Sequence, residues 1–341
     1  MKKESLIGKT FGELETLVGE LGMPKFSAKQ LSEWLYRKKA DSIDDMTNLS
    51  LQHREKLKES FVVGKTKPKQ EQVSKDGTKK YLFPAAGNKY IETVYIPDKE
   101  RHTLCISSQV GCKMNCRFCM TGKQGFNSQL NSSEIINQIF SVPESDSLTN
   151  IVFMGMGEPL DNTDEVLKVL EILTSSYGFG WSPKRITLST IGLIPGLKRF
   201  LEESQCHLAI SLHSPFHEER AALLPAEKTY PIEKILEWIK QYDFSHQRRI
   251  SFEYILFENL NDDLAHAKAT VRLLSGIPCR VNLIRYHAIP GVELNESNMK
   301  NVVAFRDYLS SRKIICTIRT SRGEDILAAC GMLSTKENCK D

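Results

Sequence analysis

The sequence predicts an α/β fold in which a run of β/α units builds a parallel sheet, preceded by a small helical module and a strand-rich piece. Three observations carry this. From residue 103 onward, β-prone apolar runs alternate with amphipathic stretches, as in βα units with right-handed crossovers. Before residue 64, apolar residues recur at helical spacing. Between these regions, Asp76-Gly77 and Gly87-Asn88 separate β-prone runs as hairpin turns do. The chain has 341 residues, 40% of them hydrophobic, enough for one large domain or two smaller ones.

The first helix is expected in "TFGELETLVGELG" and the second in "SAKQLSEWLYRKK", with Ser27 as its N-cap. The third is expected in "SLQHREKLKESF". The strand-rich piece is "QVSKDGTKKYLFPAAGNKYIETVYIP". Strands of the repeat are expected at 103–108, 150–155, 185–190, 207–213, 250–257, 280–286 and 315–320. "DEVLKVLEILTSSY" and "IEKILEWIKQY" are among the helices between them. About six units are too few for a closed eight-unit barrel, so an open doubly wound sheet and a partial barrel both fit. No GxGxxG follows a strand and opens a helix, which leaves a dinucleotide site unsupported. Polar or reactive residues recur where the strands end: "GMGEP", Ser189-Thr190, Ser211 to His213, His287 and "SRGEDILAACG". Parallel α/β folds place their sites on that edge.

The apolar runs are all short of a membrane span, and "MKKESLIGKTFGE" lacks a signal-peptide core. A cytoplasmic protein without a membrane role is expected. There, nine cysteines point to reduced, metal-bound or catalytic thiols. The net charge of +4 says little, but lysines crowd 54–80. A basic stretch suits either an anionic partner such as nucleic acid or a solvated surface.

Cys112, Cys116 and Cys119 stand in "GCKMNCRFCMTGKQGF", in the loop after the first strand of the repeat. A structural zinc site normally takes four protein ligands, and no second CxxC or HxxxH lies nearby. A redox disulfide leaves a third thiol over. A four-iron cubane held by three thiolates keeps one iron open for a substrate or cofactor, and Phe118 would shield it.

C-x3-C-x-aromatic-C in this context resembles the radical S-adenosylmethionine (SAM) enzymes. "FMGMGEPL", "TLSTIG", "SLHSP", "NLIRYH" and "AACG" extend the likeness over most of the chain, to the radical SAM RNA adenine methyltransferases of the RlmN/Cfr group. The resemblance implies a partial (β/α) barrel of radical SAM type over 101–335 and an N-terminal helical RNA-binding module over 1–64. A β-rich connecting segment over 65–100 and a tail over 336–341 complete the chain.

The resemblance also implies the chemistry. A 4Fe-4S cluster on Cys112, Cys116 and Cys119 binds SAM at its open iron, and its reduction releases a 5′-deoxyadenosyl radical. Cys330 carries a methyl group as S-methylcysteine, from one SAM, and a second SAM supplies the radical. Cys105 resolves the protein–RNA adduct through a transient disulfide with Cys330. Glu92 is the proton acceptor. Gly157, Glu158, Ser189, Ser211, Leu212, His213 and His287 match SAM-binding positions. The family motif commonly reads "NLIP-x-N", so Arg285 and His287 depart from it. Implied partners are 23S rRNA, tRNA and a flavodoxin-type electron donor, and a monomer is expected. The methyl is expected on adenine carbon 2, which lacks nucleophilicity and so needs a radical. The carbon-8 branch shares the motifs, and a zinc-stabilised RNA-binding protein is the non-catalytic alternative. Arg319, Arg322, Lys123 and the lysines of 54–80 are candidate phosphate contacts. Cys206, Cys279, Cys316 and Cys339 match no motif and are expected in the core or tail.

Overall fold

The computed structural model describes residues 3–244 and 250–335. The expected tail with Cys339 lies outside the described residues. The N-terminal module holds α1 (Phe11–Glu20), α2 (Ser27–Ser32), which continues as a π-helical turn over Glu33–Arg37, and α3 (Leu51–Ser60). Thr10 and Glu13 form a capping box at the start of α1, satisfying two orphan backbone donors. Ser50 accepts from His53 N ahead of α3. Ser27 is not an N-cap: Phe26 already has helical torsions, and Ser27 is the first, fully buried residue of α2. Leu14, Leu17, Leu31, Leu35 and Leu57 face inward. Glu4–Ser5 pairs in parallel with Phe61–Val62 and ties the module's two ends together.

The main sheet has ten strands in strict chain order. β1 (Gln70–Val73), β2 (Lys79–Ala85), β3 (Lys89–Asp98) and β4 (Arg101–Cys105) form an antiparallel meander. Both expected hairpin turns are present; Gly77, Gly87 and Asn88 take positive φ there. From β4 the sheet turns parallel through β5 (Asn150–Phe153), β6 (Ile186–Thr190), β7 (His207–Ser211), β8 (Ile250–Leu256), β9 (Cys279–Arg285) and β10 (Ile315–Ile318).

Helices α4 (Met120–Gln124) and α5 (Ser132–Phe140) follow β4, and α6 (Thr163–Thr174) follows β5. Next come α7 (Ile194–Glu203), α8 (His217–Leu223), α9 (Ile232–Ile239), α10 (Leu264–Leu273) and α11 (Met299–Ser311). A doubly wound sheet reverses its strand order at a switch point. This one never does, so it winds as a barrel; among the described residues β10 pairs only with β9, so the barrel stays open. The strand-rich segment extends the same sheet as its antiparallel wing. Cys206, Cys279 and Cys316 are buried in the core.

Most expected strands ran two or three residues past their observed carboxyl ends. Ile106–Ser108, Leu212–His213 and residues 319–320 are no longer regular strand, although Ile106 N, Leu212 N and Arg319 N each keep one bond to the neighbouring strand. Most of these overrun residues remain buried, so their composition reads as strand while their backbone builds the site.

Candidate active site

Beyond β4 the chain enters the three-cysteine loop. Phe118 is 8% exposed and meets His213 edge-on, ring centroids 4.8 Å apart, and Phe257 at 5.8 Å. Cys112, Cys116 and Cys119 line one cavity at the carboxyl ends of the strands. Among the described residues, no three His, Cys, Asp or Glu side chains are placed to hold a single metal ion. Thiols spread round a cavity wall instead fit a cubane, in which each iron takes its own thiolate. Burial pushes Cys112 up to about 12, and neighbouring charged groups add to it. Cys116 is raised further by burial and by the other two thiols. A cationic centre would make the thiolates of Cys112 and Cys116 compatible with this pocket.

Gly157, Glu158, Ser189, Ser211 and His213 line the same cavity. Gly157 has φ +100°, and a Cβ there would fall 2.6 Å from Gln109 Cβ, so only glycine fits. Glu158 is 4% exposed and accepts from Thr190 Oγ1 at 2.6 Å, Ile191 N at 3.0 Å and Leu160 N at 3.0 Å. Burial nevertheless pushes its carboxyl up to about 7. The carboxylate therefore braces the ends of β5 and β6 against each other. The Ser189 and Ser211 hydroxyls carry no hydrogen bond to any described residue and half-face the cavity, as ligand-binding hydroxyls do.

His213 sits at φ +56°. Its Nδ1 accepts from Ile255 N at 3.0 Å, which leaves the proton on Nε2. Burial lowers its pKa to about 3, with Arg220 adding to the effect. It is a neutral imidazole with a donor to offer. Leu212 acts through its backbone: its N–H donates to Glu253 O at 2.9 Å and its carbonyl accepts from Arg220 Nε at 3.1 Å.

Cys330 lines the cavity from the segment after β10. That segment is stitched to the cluster loop: Met120 N donates to Gly331 O at 2.7 Å and Thr121 Oγ1 to Leu333 O at 2.7 Å. Burial raises the Cys330 thiol pKa, and the carboxylate of Glu253 raises it further. Cys105, at the end of β4, is 8% exposed and is held protonated by burial, with Cys330 close enough to add its own repulsion.

Glu92 is 1% exposed, not a solvent-facing strand residue. It pairs with Lys80 Nζ at 3.0 Å and accepts from Ser334 N at 2.9 Å. It lies beneath the Cys330 segment rather than on the cavity wall. His287 also stays off that wall, with Nε2 3.0 Å from Ser321 Oγ.

Several expected phosphate contacts are otherwise engaged. Lys80 is buried against Glu92, and Lys65, Lys58 and Lys79 pair with Asp41, Asp44 and Glu144. Arg322 pairs with Asp98, and Lys123 donates to Pro290 O and Gly291 O. The basic run is thus largely spent on the protein itself. Arg319 is exposed, and its charge reaches both Glu253 and Cys330.

Two features escaped the sequence reading. Arg220, 1% exposed, donates to Ile191 O, Ser211 O and Leu212 O and pairs with buried Glu227. Glu253 lines the cavity from β8, whose seven residues are all buried. A single carboxylate in "ISFEYILF" was a readable signal, since buried charge seldom stands without a partner or a task.

A family model described as the Radical SAM superfamily matches residues 106–271. One described as the ribosomal RNA large subunit methyltransferase N-terminal domain matches residues 5–63. The chain is 61% identical over 336 residues to "Probable dual-specificity RNA methyltransferase RlmN" of Parabacteroides distasonis, covering 98% of each chain. It is 42% identical over 340 residues to "Dual-specificity RNA methyltransferase RlmN" of Syntrophus aciditrophicus, again with 98% of each covered. The crystal structure of a radical SAM methyltransferase from Sphaerobacter thermophilus superimposes with a TM-score of 0.91 at 36% identity, over 98% of this chain and 100% of that one.

Proposed function

The chain belongs to the RlmN family of radical SAM RNA methyltransferases, and from that premise we propose that it methylates carbon 2 of adenine in 23S rRNA and in tRNA. One observation carries the reading: the three-thiol loop, the free serine hydroxyls, neutral His213 and Cys330 all face one cavity. The relatives' printed names, dual-specificity RNA methyltransferases, support two RNA substrates.

Cys112, Cys116 and Cys119 would hold the 4Fe-4S cluster, which supplies the electron that cleaves SAM and begins radical chemistry. Ser189, Ser211, Gly157 and the Nε2–H of His213 orient SAM, while Glu158 holds the two strand ends that carry them. His287 acts from outside this wall. Cys330 takes a methyl group by displacement; loss of one hydrogen atom from that S-methyl group to the radical would leave a methylene carbon that bonds to adenine carbon 2. Glu92 accepts the adenine proton; its contact with Ser334, four residues beyond Cys330, puts base and carrier on touching segments. Cys105 attacks the Cys330 sulfur, forms a disulfide and frees the RNA.

The helical module of 1–64 and exposed Arg319 contact RNA, and the adenine leaves its stack to enter the cavity. No helix is long and apolar enough to cross a membrane among the described residues. A cytoplasmic monomer reduced by a flavodoxin-type donor completes the proposal. Mass spectrometry of nucleosides from RNA treated with protein, SAM and reductant tests it. 2-Methyladenosine is expected. A sole 8-methyladenosine product overturns the carbon-2 assignment, and no methylated adenosine overturns RNA methylation.

A further inference from the structure

We propose that Glu253 is a further catalytic residue, the base that takes the Cys330 thiol proton as that thiol is methylated. This rests on the reading of Cys330 as methyl carrier. Glu253 is 4% exposed in the middle of β8 and is the strand partner of Ser211. Its Oε1 accepts from Asn282 Nδ2 at 2.7 Å and Ser251 Oγ at 3.1 Å. Asn282 Oδ1 in turn accepts from Thr317 Oγ1 at 2.8 Å, which orients the amide across β8, β9 and β10. Oε2 accepts nothing from the described residues, and the side chain lines the cavity with Cys330. A carboxylate kept only for stability would satisfy both oxygens; here one is anchored and the other is left open on a cavity wall that Cys330 shares, close enough for the two charges to interact.

The need for a base follows from the thiol. Cys330 as a residue is exposed, but desolvation of its sulfur and the Glu253 charge raise the thiol pKa above its ordinary value, and a thiol is a far weaker nucleophile than its thiolate. In the proposed step the S–H bond of Cys330 breaks and its proton passes to Glu253 Oε2. The sulfur pair bonds to the sulfonium methyl of SAM, and the old methyl–sulfur bond breaks with its pair returning to that sulfur. A carboxylate and a sulfonium become a carboxylic acid and two thioethers, with no redox change. Opposite charges vanish inside a low-dielectric pocket, which favours the step. Burial raises the Glu253 pKa toward the working pH of a base, while Arg319, Asn282, Ser251 and Arg280 hold it back. His213, the other titratable side chain named on this wall besides the cluster thiols and Glu158, stays neutral.

The test follows transfer of a trideuteriomethyl group from labelled SAM to Cys330. It uses the full-length, cluster-reconstituted protein with Cys330 initially unmethylated, peptide mass spectrometry and a range of pH. Glu253→Gln should slow labelling at neutral pH by about a hundredfold, the lower end for a general base, with the rate recovering as pH rises. Iodoacetamide alkylation of Cys330, which needs no cofactor, should shift the other way. Without the carboxylate the thiolate forms at lower pH, so Glu253→Gln alkylates faster than the unsubstituted protein. Glu253→Asp should retain the original pH profile at a reduced rate. Labelling that simply follows the thiolate, and is therefore faster in Glu253→Gln, overturns the proposal. So does a loss of SAM affinity in equilibrium dialysis that matches the loss of rate. No label on Cys330 in the unsubstituted protein overturns the carrier reading itself.

Discussion

Cys105 and Cys330 both have raised thiol pKa values, but Cys105 is buried and Cys330 is exposed. Cys330 faces the cavity, whereas Cys105 closes β4 behind it and bonds to Met154 N. That placement suits attack on the Cys330 sulfur once RNA is attached. Cys105→Ala should therefore accumulate a protein–RNA adduct through Cys330, visible as a nuclease-trimmed mass on that peptide. Normal turnover by this variant would remove the resolving role. Cys330→Ala should still cleave SAM under reduction while placing no methyl on RNA. At the same scale, Glu158 and His213 give opposed pH effects. The Glu158 pKa rises from 4.5 to about 7, so its stabilisation is complete below 4.5 and is lost as pH rises through 7. His213 falls from 6.5 to about 3, so its stability is complete above 6.5 and is lost as pH falls toward 3. Between 4.5 and 6.5 the two slopes oppose, each worth up to about 1.4 kcal/mol per pH unit. Glu158→Gln leaves the histidine slope alone. Urea midpoints should then fall more steeply with acid than in the unsubstituted protein; parallel curves would refute the burial account.

The β6 and β7 ends are joined by one element, the short helix α8, through Arg220. Its guanidinium reaches Ser211 O at 2.8 Å and Ile191 O at 3.1 Å while pairing with Glu227, and neither partner is exposed beyond 1%. Removing one member of a buried pair costs about 3–5 kcal/mol. Arg220→Met should lose that much stability in urea titration, and SAM affinity should fall with it, because Ser211 and Leu212 lose their anchor. Unchanged SAM binding would separate this helix from the site. This brace was not legible in "HEERAAL", because Arg220 and Glu227 meet only once α8 has folded against the ends of β6 and β7. The helix periods and the βα alternation were legible because burial patterns repeat along one element. The strand ends were not, because buried site loops keep the apolar composition of strands, and one last sheet bond, after the regular ladder has ended. Glu253 lies not at such an end but in mid-strand, where a lone charge in an apolar run is the departure that marks a site. Ser27 misled for a related reason: a serine before an apolar run reads as a cap, but Phe26 had already begun the helix.

Across the whole molecule, the Cys330 segment is clasped to the far wing of the sheet. Asp76, in the β1–β2 turn, accepts from Gly323 N at 2.9 Å. Asp325, five residues before Cys330, accepts from Ser74 Oγ at 2.6 Å and Lys75 N at 3.2 Å. Each carboxylate thus caps the other's turn, across nearly 250 residues of chain. Such reciprocity is invisible to local pattern reading, because both residues sit in ordinary turn sequences. Burial opposes the charge of Asp76, but bonds from Gly323, Thr78 and Ser74 bring its pKa down to about 2. The clasp is therefore complete above the ordinary carboxyl value and lost only as pH falls through 2, far from any working pH. Hydrogen bonds to a charged group are stronger than those between neutral groups, so losing both carboxylates should open the segment locally before it unfolds the sheet. Asp76→Asn with Asp325→Asn should speed amide exchange over 323–335 by about tenfold or more, with exchange in β5 to β8 unchanged. Labelling of Cys330 by SAM should slow in the same protein while its iron content holds. The single variants close a double-mutant cycle, and a coupling beyond additivity is expected because the two turns cap each other. Equal exchange over 323–335 in all four proteins would mean that the clasp carries no load and that the cluster-loop contacts at Gly331 and Leu333 alone position Cys330.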